Sequence, residues 1–254
     1  VSEARWLEGR RALVTGAGRN IGRAIALEMA RHGAGVVVVE KDEAACAAIE
    51  RELRAITHDV RVVAADVSDL DQIAERWPEI ASGSARIDIL VHNAAVKTGA
   101  DSVRGFERGE WERVLATNVV GPMEITRRIV DALIVARRGG SILFLSSIHE
   151  RTPRRIPSYS ASKAALAMIV RELAIDLAPH EIRVNAIAPG YVAADDRGRA
   201  VAHKPTPLYA QATPPEFIAH AAAFLASDTF SRHTTGAVLT IDGGLSLHNH
   251  LTLR

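Results

Sequence analysis

Cysteine is almost missing from this sequence. Cys46 is the only one, so no intrachain disulfide can form. That excludes a disulfide-stapled scaffold and fits a reducing compartment. Aromatic residues are sparse at 4%. A charge imbalance is missing too. The 31 Lys and Arg residues face 30 Asp and Glu, a formal charge of +1. This excludes the bulk basicity of a nucleic-acid binder, so no nucleic-acid partner is expected. Apolar runs are short. None reaches the roughly 20 residues that span a bilayer, so no membrane association is expected. Residues 1–5 (VSEAR) lack the basic region and apolar core of a signal peptide. A cytoplasmic chain, processed or trimmed at its start, is the expectation.

What the chain does have is aliphatic material. Hydrophobic residues make up 48% of its 254 positions, too many for intrinsic disorder. Short aliphatic runs alternate with helical spacing from end to end. Strands are expected at 11–15, 36–40, 60–64, 87–91, 141–145, 183–188 and 237–241. Helices are expected at 21–31, 42–56, 70–77, 158–177 and 215–226. A longer one, at 110–137, is expected to break near Gly121-Pro122, and Pro78 is expected to stop the helix before it. The run VVVVE at 36–40 has no polar face, as in parallel strands buried on both sides. The fold class that follows is α/β: a doubly wound, seven-stranded, mainly parallel sheet with helices on both faces. No linker or repeat divides it, so 1–254 reads as a single domain. The least regular stretch, 191–214, reads as a substrate lid.

The first strand runs into Thr15-Gly16-Ala17-Gly18-Arg19-Asn20-Ile21-Gly22, and a helix follows. Glycines let backbone N–H groups approach a pyrophosphate, and the helix N-terminus adds partial positive charge. Glu40 ends the second strand. A carboxylate there accepts hydrogen bonds from an adenosine ribose and repels a 2′-phosphate. Lys41 and Arg19 are the opposing signal for NADP. NAD is the favoured cofactor, because a carboxylate is costly beside a phosphate. Asp66, after the third strand, is a candidate for the adenine edge.

Tyr159 and Lys163 share one face of a helix, at i and i+4. A free tyrosine titrates near pH 10. A neighbouring ammonium favours the phenolate, which suits Tyr159 to general acid/base work. The pair follows a strand ending in Ser146-Ser147. Strand C-termini in an open parallel sheet face the ligand crevice, where a serine hydroxyl can hold a substrate oxygen. Sheet alternation lets only one serine of the doublet face it.

Taken together, these residues resemble the short-chain dehydrogenase/reductase family across nearly the whole chain. Thr15, Gly16 and Gly22 match the family's glycine loop. Asp66-Val67 matches its Asp-Val pair, and His92-Asn93-Ala94-Ala95 its Asn-Asn-Ala-Gly. Asn118 matches its helix asparagine. Ser147, Tyr159 and Lys163 match its Ser, Tyr and Lys. Pro189-Gly190 and Asp242-Gly243-Gly244 complete the set. The resemblance implies an NAD(P)-dependent oxidoreductase moving a hydride between nicotinamide and an alcohol or carbonyl carbon. Tyr159 would be the acid/base, and Ser147 would orient the oxygen. Lys163 would bind the nicotinamide ribose, and Asn118 would hold a relay water. Asn93, Ala94, Pro189, Gly190 and Val192 would line the cofactor. A homotetramer or homodimer is implied as well, and the apolar segment 215–241 is suited to a subunit contact.

Four departures stand out. Asn20 replaces the loop's middle glycine; Asn tolerates positive φ, so the turn can survive. His92 and Ala95 alter the Asn-Asn-Ala-Gly motif. Ala194 stands where the family usually has a threonine, which leaves that end of the cofactor to the backbone of Val192. Ser147 is one residue closer to Tyr159 than the family's spacing. Ser146 would restore that spacing, but the residues after the doublet align better with Ser147.

Substrate choice is left to 149–156 and 195–209, with His149 as a candidate contact. Arg151, Arg154, Arg155, Arg197, Arg199, His203 and Lys204 cluster there. They form either a site for an anionic or polyhydroxylated substrate or a solvated basic rim. The segment SSIHE resembles part of bacterial sugar dehydrogenases of the family. His248 and His250 have no third ligand nearby, so no metal site is expected. Two rival readings stay open. One is a non-catalytic dinucleotide-binding sensor or scaffold on the same fold. The other is an NADP-dependent 3-oxoacyl-type reductase, for which Arg19 and Lys41 speak.

Overall fold

Valine and isoleucine runs with alternating faces build the sheet. A computed structural model describes residues 5–82, 87–98, 102–192 and 206–247. Its strands are β1 (Arg11–Thr15), β2 (Gly35–Glu40), β3 (Val60–Ala64), β4 (Ile89–His92), β5 (Gly140–Leu145), β6 (Ile182–Pro189) and β7 (Val238–Ile241). They form one seven-stranded sheet in the order β3-β2-β1-β4-β5-β6-β7. Every pairing is parallel. This is the doubly wound Rossmann-type arrangement expected from the sequence.

Alternate strand residues feed two cores. Ala12, Val14, Val36, Val38, Leu143 and Leu145 face one side, against helices α1 (Asn20–Arg31), α2 (Glu43–Arg54) and α7 (Pro215–Ala226). Leu13, Val37, Val39, Ile142 and Phe144 face the other, against α3 (Leu70–Ile80), α5 (Gly121–Val135) and α6 (Pro157–Leu177). Each such Val or Leu stabilises the fold by roughly 1.5–3 kcal/mol on burial. Asp42 and Asp69 cap α2 and α3, accepting from Ala45 N at 3.1 Å and Gln72 N at 2.9 Å. The Asp42 cap is the one its position suggests.

Two helix boundaries differ from expectation. Pro78 does not stop α3, which runs on to Ile80. Nor is there a break at Gly121-Pro122. Helix α4 (Arg108–Leu115) passes through one π turn at Ala116–Val120 directly into α5. The wider turn accommodates Pro122, which has no N–H to donate back along the helix. Gly121 is required by packing: a Cβ there would run into the Val67 carbonyl oxygen. Strand β4 begins and ends later than expected, at Ile89 and His92. Among the described residues, no helix is long and apolar enough to cross a membrane.

The strand order reverses beside β1. From β3 at one edge, the chain returns to β4 on the far side of β1. Ligands of open α/β sheets bind at this switch point, outside the strand C-termini. The loops after β1, β4 and β5 therefore define the site.

Candidate active site

The loop after β1 is shaped for close approach. Gly16 has φ +65°, and a Cβ on it would lie 2.8 Å from Ala94 Cα, so only glycine fits. Asn20 takes φ 48°, the left-handed conformation its side chain tolerates. The turn thus survives the loss of a glycine, as anticipated. Arg19 occupies the N-cap of α1 and provides no side-chain cap. The first-turn N–H groups of α1, from Ile21 and Gly22 onward, are left to other partners. Such an uncapped terminus behind a glycine loop fits a pyrophosphate.

The loops after β1 and β4 are stitched together. Asn93 Nδ2 donates to the carbonyls of Thr15 at 3.1 Å and Gly16 at 2.7 Å. Thr15 Oγ1 accepts from the N–H groups of Asn93 at 3.1 Å and Ala94 at 3.2 Å. His92, at the family's first asparagine, points into the core instead. It is 3% exposed, bonds Thr126 Oγ1 at 2.8 Å and lies 4.7 Å from the Phe144 ring. Burial pushes its imidazole down to about 3, so it is neutral.

Glu40 lies over the glycine loop. Its Oε2 accepts from Gly18 N at 3.0 Å, and its Oε1 from Lys41 N at 2.9 Å and Asp42 N at 3.1 Å. The Lys41 ammonium is 3.5 Å from Asp66 Oδ2. Asp66 also accepts from Ser68 N at 2.9 Å and Ser68 Oγ at 2.7 Å. Burial works to raise the Asp66 carboxyl. The Ser68 hydrogen bonds and the Lys41 charge outweigh it and hold the group below its ordinary value. Val67, next in line, is buried. A glycine loop, an uncapped helix and a carboxylate at the β2 terminus together fit a nicotinamide dinucleotide.

The two serines after β5 are engaged differently. Ser146 Oγ shares its one proton between Glu150 Oε2 at 2.9 Å and the Lys163 carbonyl at 3.2 Å. Ser147 starts a 3₁₀ turn at Ile148–Glu150, and among the described residues its Oγ accepts only a long 3.3 Å bond from His149 N. Alternation has turned one hydroxyl onto α6 and left the other with weak ties.

Helix α6 carries Tyr159 and Lys163. Lys163 is 2% exposed, and its Nζ donates to the Leu145 carbonyl at 2.6 Å. The same Nζ lies 5.4 Å from the centre of the Tyr159 ring, within cation–π range. Burial pushes the Lys163 ammonium down to about 8. It remains protonated at neutral pH. His149 stands edge-on to Tyr159 at 5.0 Å, with its Nδ1 3.1 Å from Ser160 Oγ.

Asn118 lies in the π turn and is buried. Its Oδ1 accepts from Val96 N at 2.8 Å; its Nδ2 donates to Val96 O at 2.9 Å and Ser162 Oγ at 3.0 Å. Ser162 Oγ in turn donates to the Tyr159 carbonyl at 2.7 Å. The side chain ties the loop after β4 to α6 rather than mending a helix break.

The far rim is built from β6 and β7. Gly190 N donates to Ile241 O at 3.0 Å, just after Pro189. Asp242 accepts from Gly244 N at 2.9 Å and Ser246 N at 2.7 Å, which fastens the Asp-Gly-Gly turn. Val192 pairs with Thr213 in an isolated bridge. Ala194, Arg197, Arg199, His203, Lys204, His248 and His250 lie outside the described residues. Arg151 does not face the site: its guanidinium bonds Thr240 Oγ1 and lies 3.8 Å from Glu150. Sequence reading missed Lys97, Ser158, Ser160 and Ser162. Their only signal was proximity to recognised motifs.

A family model described as "Enoyl-(Acyl carrier protein) reductase" matches residues 16–246. A 3beta-hydroxysteroid dehydrogenase 1 from Eggerthella lenta is 34% identical, over 95% of this chain and 95% of the relative. A galactitol 2-dehydrogenase from Rhizobium johnstonii is 34% identical, over 94% and 96%. A crystal structure of a gluconate 5-dehydrogenase from Burkholderia cenocepacia, in complex with NADP and tartrate, superposes with a TM-score of 0.86. It is 28% identical and covers 97% of this chain and 99% of its own. The chain belongs to the short-chain dehydrogenase/reductase family. It is an NAD(P)-dependent oxidoreductase acting on CH–OH groups.

Proposed function

We propose that this enzyme favours NAD and oxidises or reduces a polar alcohol/carbonyl pair, with Tyr159 as general acid/base. The observation that carries the reading is Lys163: a buried ammonium 5.4 Å from the centre of the Tyr159 ring. When bound, the nicotinamide supplies the hydride acceptor or donor. Tyr159 Oη takes or returns the hydroxyl proton of the substrate. The Lys163 charge favours the phenolate and holds the nicotinamide ribose. Ser147 Oγ orients the reacting oxygen, because Ser146 is occupied by Glu150 and Lys163. Asn118 keeps α6 in register with the loop after β4 and holds the relay water.

The NAD preference rests on Glu40, whose carboxylate covers the loop where a 2′-phosphate would bring like charge. Of the two residues that speak for NADP, Lys41 is drawn toward Asp66, while Arg19 stands at the N-cap of α1. Gly16, Gly18, Asn20, Ile21, Gly22, Asn93, Ala94, Pro189, Gly190 and Val192 are assigned to the cofactor. His149 is assigned to the substrate. The similarity to a galactitol and a gluconate dehydrogenase supports a polyhydroxylated substrate.

The whole chain is read as one domain, with residues 191–214 as its lid. A homotetramer or homodimer in the cytoplasm completes the reading. Exposed Phe217, Phe224, Phe230 and Leu239 support a subunit contact on that face. The test is a nucleotide-absorbance screen over alditols, aldoses, hydroxy acids, steroids and ketoacyl thioesters, with both nucleotides. Turnover of a polar alcohol with NAD is expected. NAD binding with no turnover of any compound would favour the sensor reading.

A further inference from the structure

Among the described residues, positive charge gathers beside this site with no acid paired to it. Lys97, in the loop after β4, is exposed. Both its neighbours are fastened to α6. Val96 is held by Asn118, which bonds Ser162 at 3.0 Å, and Thr98 Oγ1 lies 3.4 Å from Ser158 Oγ. Lys97 is thereby pinned beside the turn of α6 that carries Tyr159. Arg154 lies in the segment leading into α6, close enough for its charge to act on His149. Its Nε is buried and has no hydrogen-bond partner among the described residues. Neither cation forms an ion pair with a described residue.

His149 lies in this field, edge-on to Tyr159 at 5.0 Å. Burial, then the charges of Arg154, Lys97 and Lys163, hold its imidazole below the ordinary value. Among the described residues, no carboxylate acts on it in the opposite sense. Glu150, the acid of the same segment, is turned onto Ser146 Oγ at 2.9 Å. The charge that the described residues exert on His149 is therefore positive.

We propose that Lys97 and Arg154 form an oxyanion subsite, so that the substrate is an alcohol or ketone bearing a carboxylate or phosphate group. The subsite rests on the reading that Tyr159 marks the reacting carbon. An Arg fork pairs with two oxygens of such a group, and a lysine adds a point charge. His149, neutral and edge-on to Tyr159, adds no charge of its own beside this anchor. Steroids and simple alcohols lack the anchoring group and are discriminated against.

The test uses matched pairs: 4-hydroxypentanoate against its amide, gluconate against gluconamide, and glycerol 1-phosphate against glycerol. The protein is saturated with NAD. Turnover is followed by absorbance and binding by calorimetry. In at least one class, the acid exceeds its neutral partner tenfold or more in kcat/KM or affinity. Lys97→Gln and Arg154→Gln each reduce that ratio about tenfold or more. If Arg154→Gln fails to fold, Lys97→Gln carries the test, since its side chain is exposed. Acids that match their neutral partners overturn the subsite, as does a ratio unchanged in the variants. Charge-dependent binding without any turnover would uphold the subsite while removing the catalytic reading. The carboxylate and phosphate pairs distinguish the two anion classes.

Discussion

The hydroxyl of Ser146 donates to the main-chain carbonyl of Lys163 at 3.2 Å. That bond joins the end of β5 to α6 one turn beyond Tyr159. It also commits the hydroxyl, whose one proton is shared with Glu150 Oε2 at 2.9 Å. Ser147 is the serine left for a substrate oxygen. Ser146→Ala should therefore lower stability by about 1–3 kcal/mol, by stripping a partner from buried Glu150. Its kcat should stay within tenfold of wild type. Ser147→Ala should lower kcat by about a hundredfold or more with little change in melting temperature. Paired melting and turnover measurements check this, and the reverse pattern would transfer the role to Ser146.

Glu40 offers a test of cofactor choice. Its carboxylate bonds three backbone N–H groups around the nucleotide loop. Glu40→Ala should weaken NAD binding by about tenfold, the scale of one charged hydrogen bond. It should also raise the NADP-to-NAD ratio of kcat/KM. An unchanged ratio would remove Glu40 from the ribose.

His92 makes the fold acid-sensitive. Its imidazole titrates near 6.5 when unfolded and is pushed to about 3 when folded. The folded state binds fewer protons between those values, so stability is present above 6.5 and lost as pH falls. The slope is about 1.4 kcal/mol per pH unit. His92→Asn should remove it. Between pH 7 and 4, the variant should lose about 3 kcal/mol less stability than wild type in denaturant titrations. Parallel losses would mean that His92 is not buried neutral.

Gly121 tests the account of the continuous helix. If the glycine serves close packing against the Val67 carbonyl, Gly121→Ala should cost about 1–3 kcal/mol despite alanine's better helix propensity. A stabilised Gly121→Ala would show that the residue is only a helix breaker.

Much of this was legible in the sequence, and the reasons are particular. Runs such as Val36–Val39 are buried on both faces, so they announce a parallel strand without needing alternation. Asp42 sat where a cap belongs, and it caps. Asn20 kept the left-handed turn that its side chain permits. Pro78 and Gly121-Pro122 misled because a breaker in sequence acts only when the helix has no accommodation. One π turn and one late helical position supplied it. The Ser146–Ser147 doublet could not be resolved by spacing, because the choice depends on bonds to Glu150 and Lys163 made by folding. Lys97 was illegible for the same reason. Its place beside Tyr159 comes from Asn118 and Thr98, residues far from α6 in the chain.

The central claim is that Tyr159 moves the proton while neighbouring residues hold the nucleotide. It is tested by Tyr159→Phe, with turnover of the best screened substrate measured beside NAD affinity. A fall in kcat of about 10²–10⁴-fold is expected, with the NAD Kd within about threefold of wild type. Turnover near the wild-type rate would contradict it.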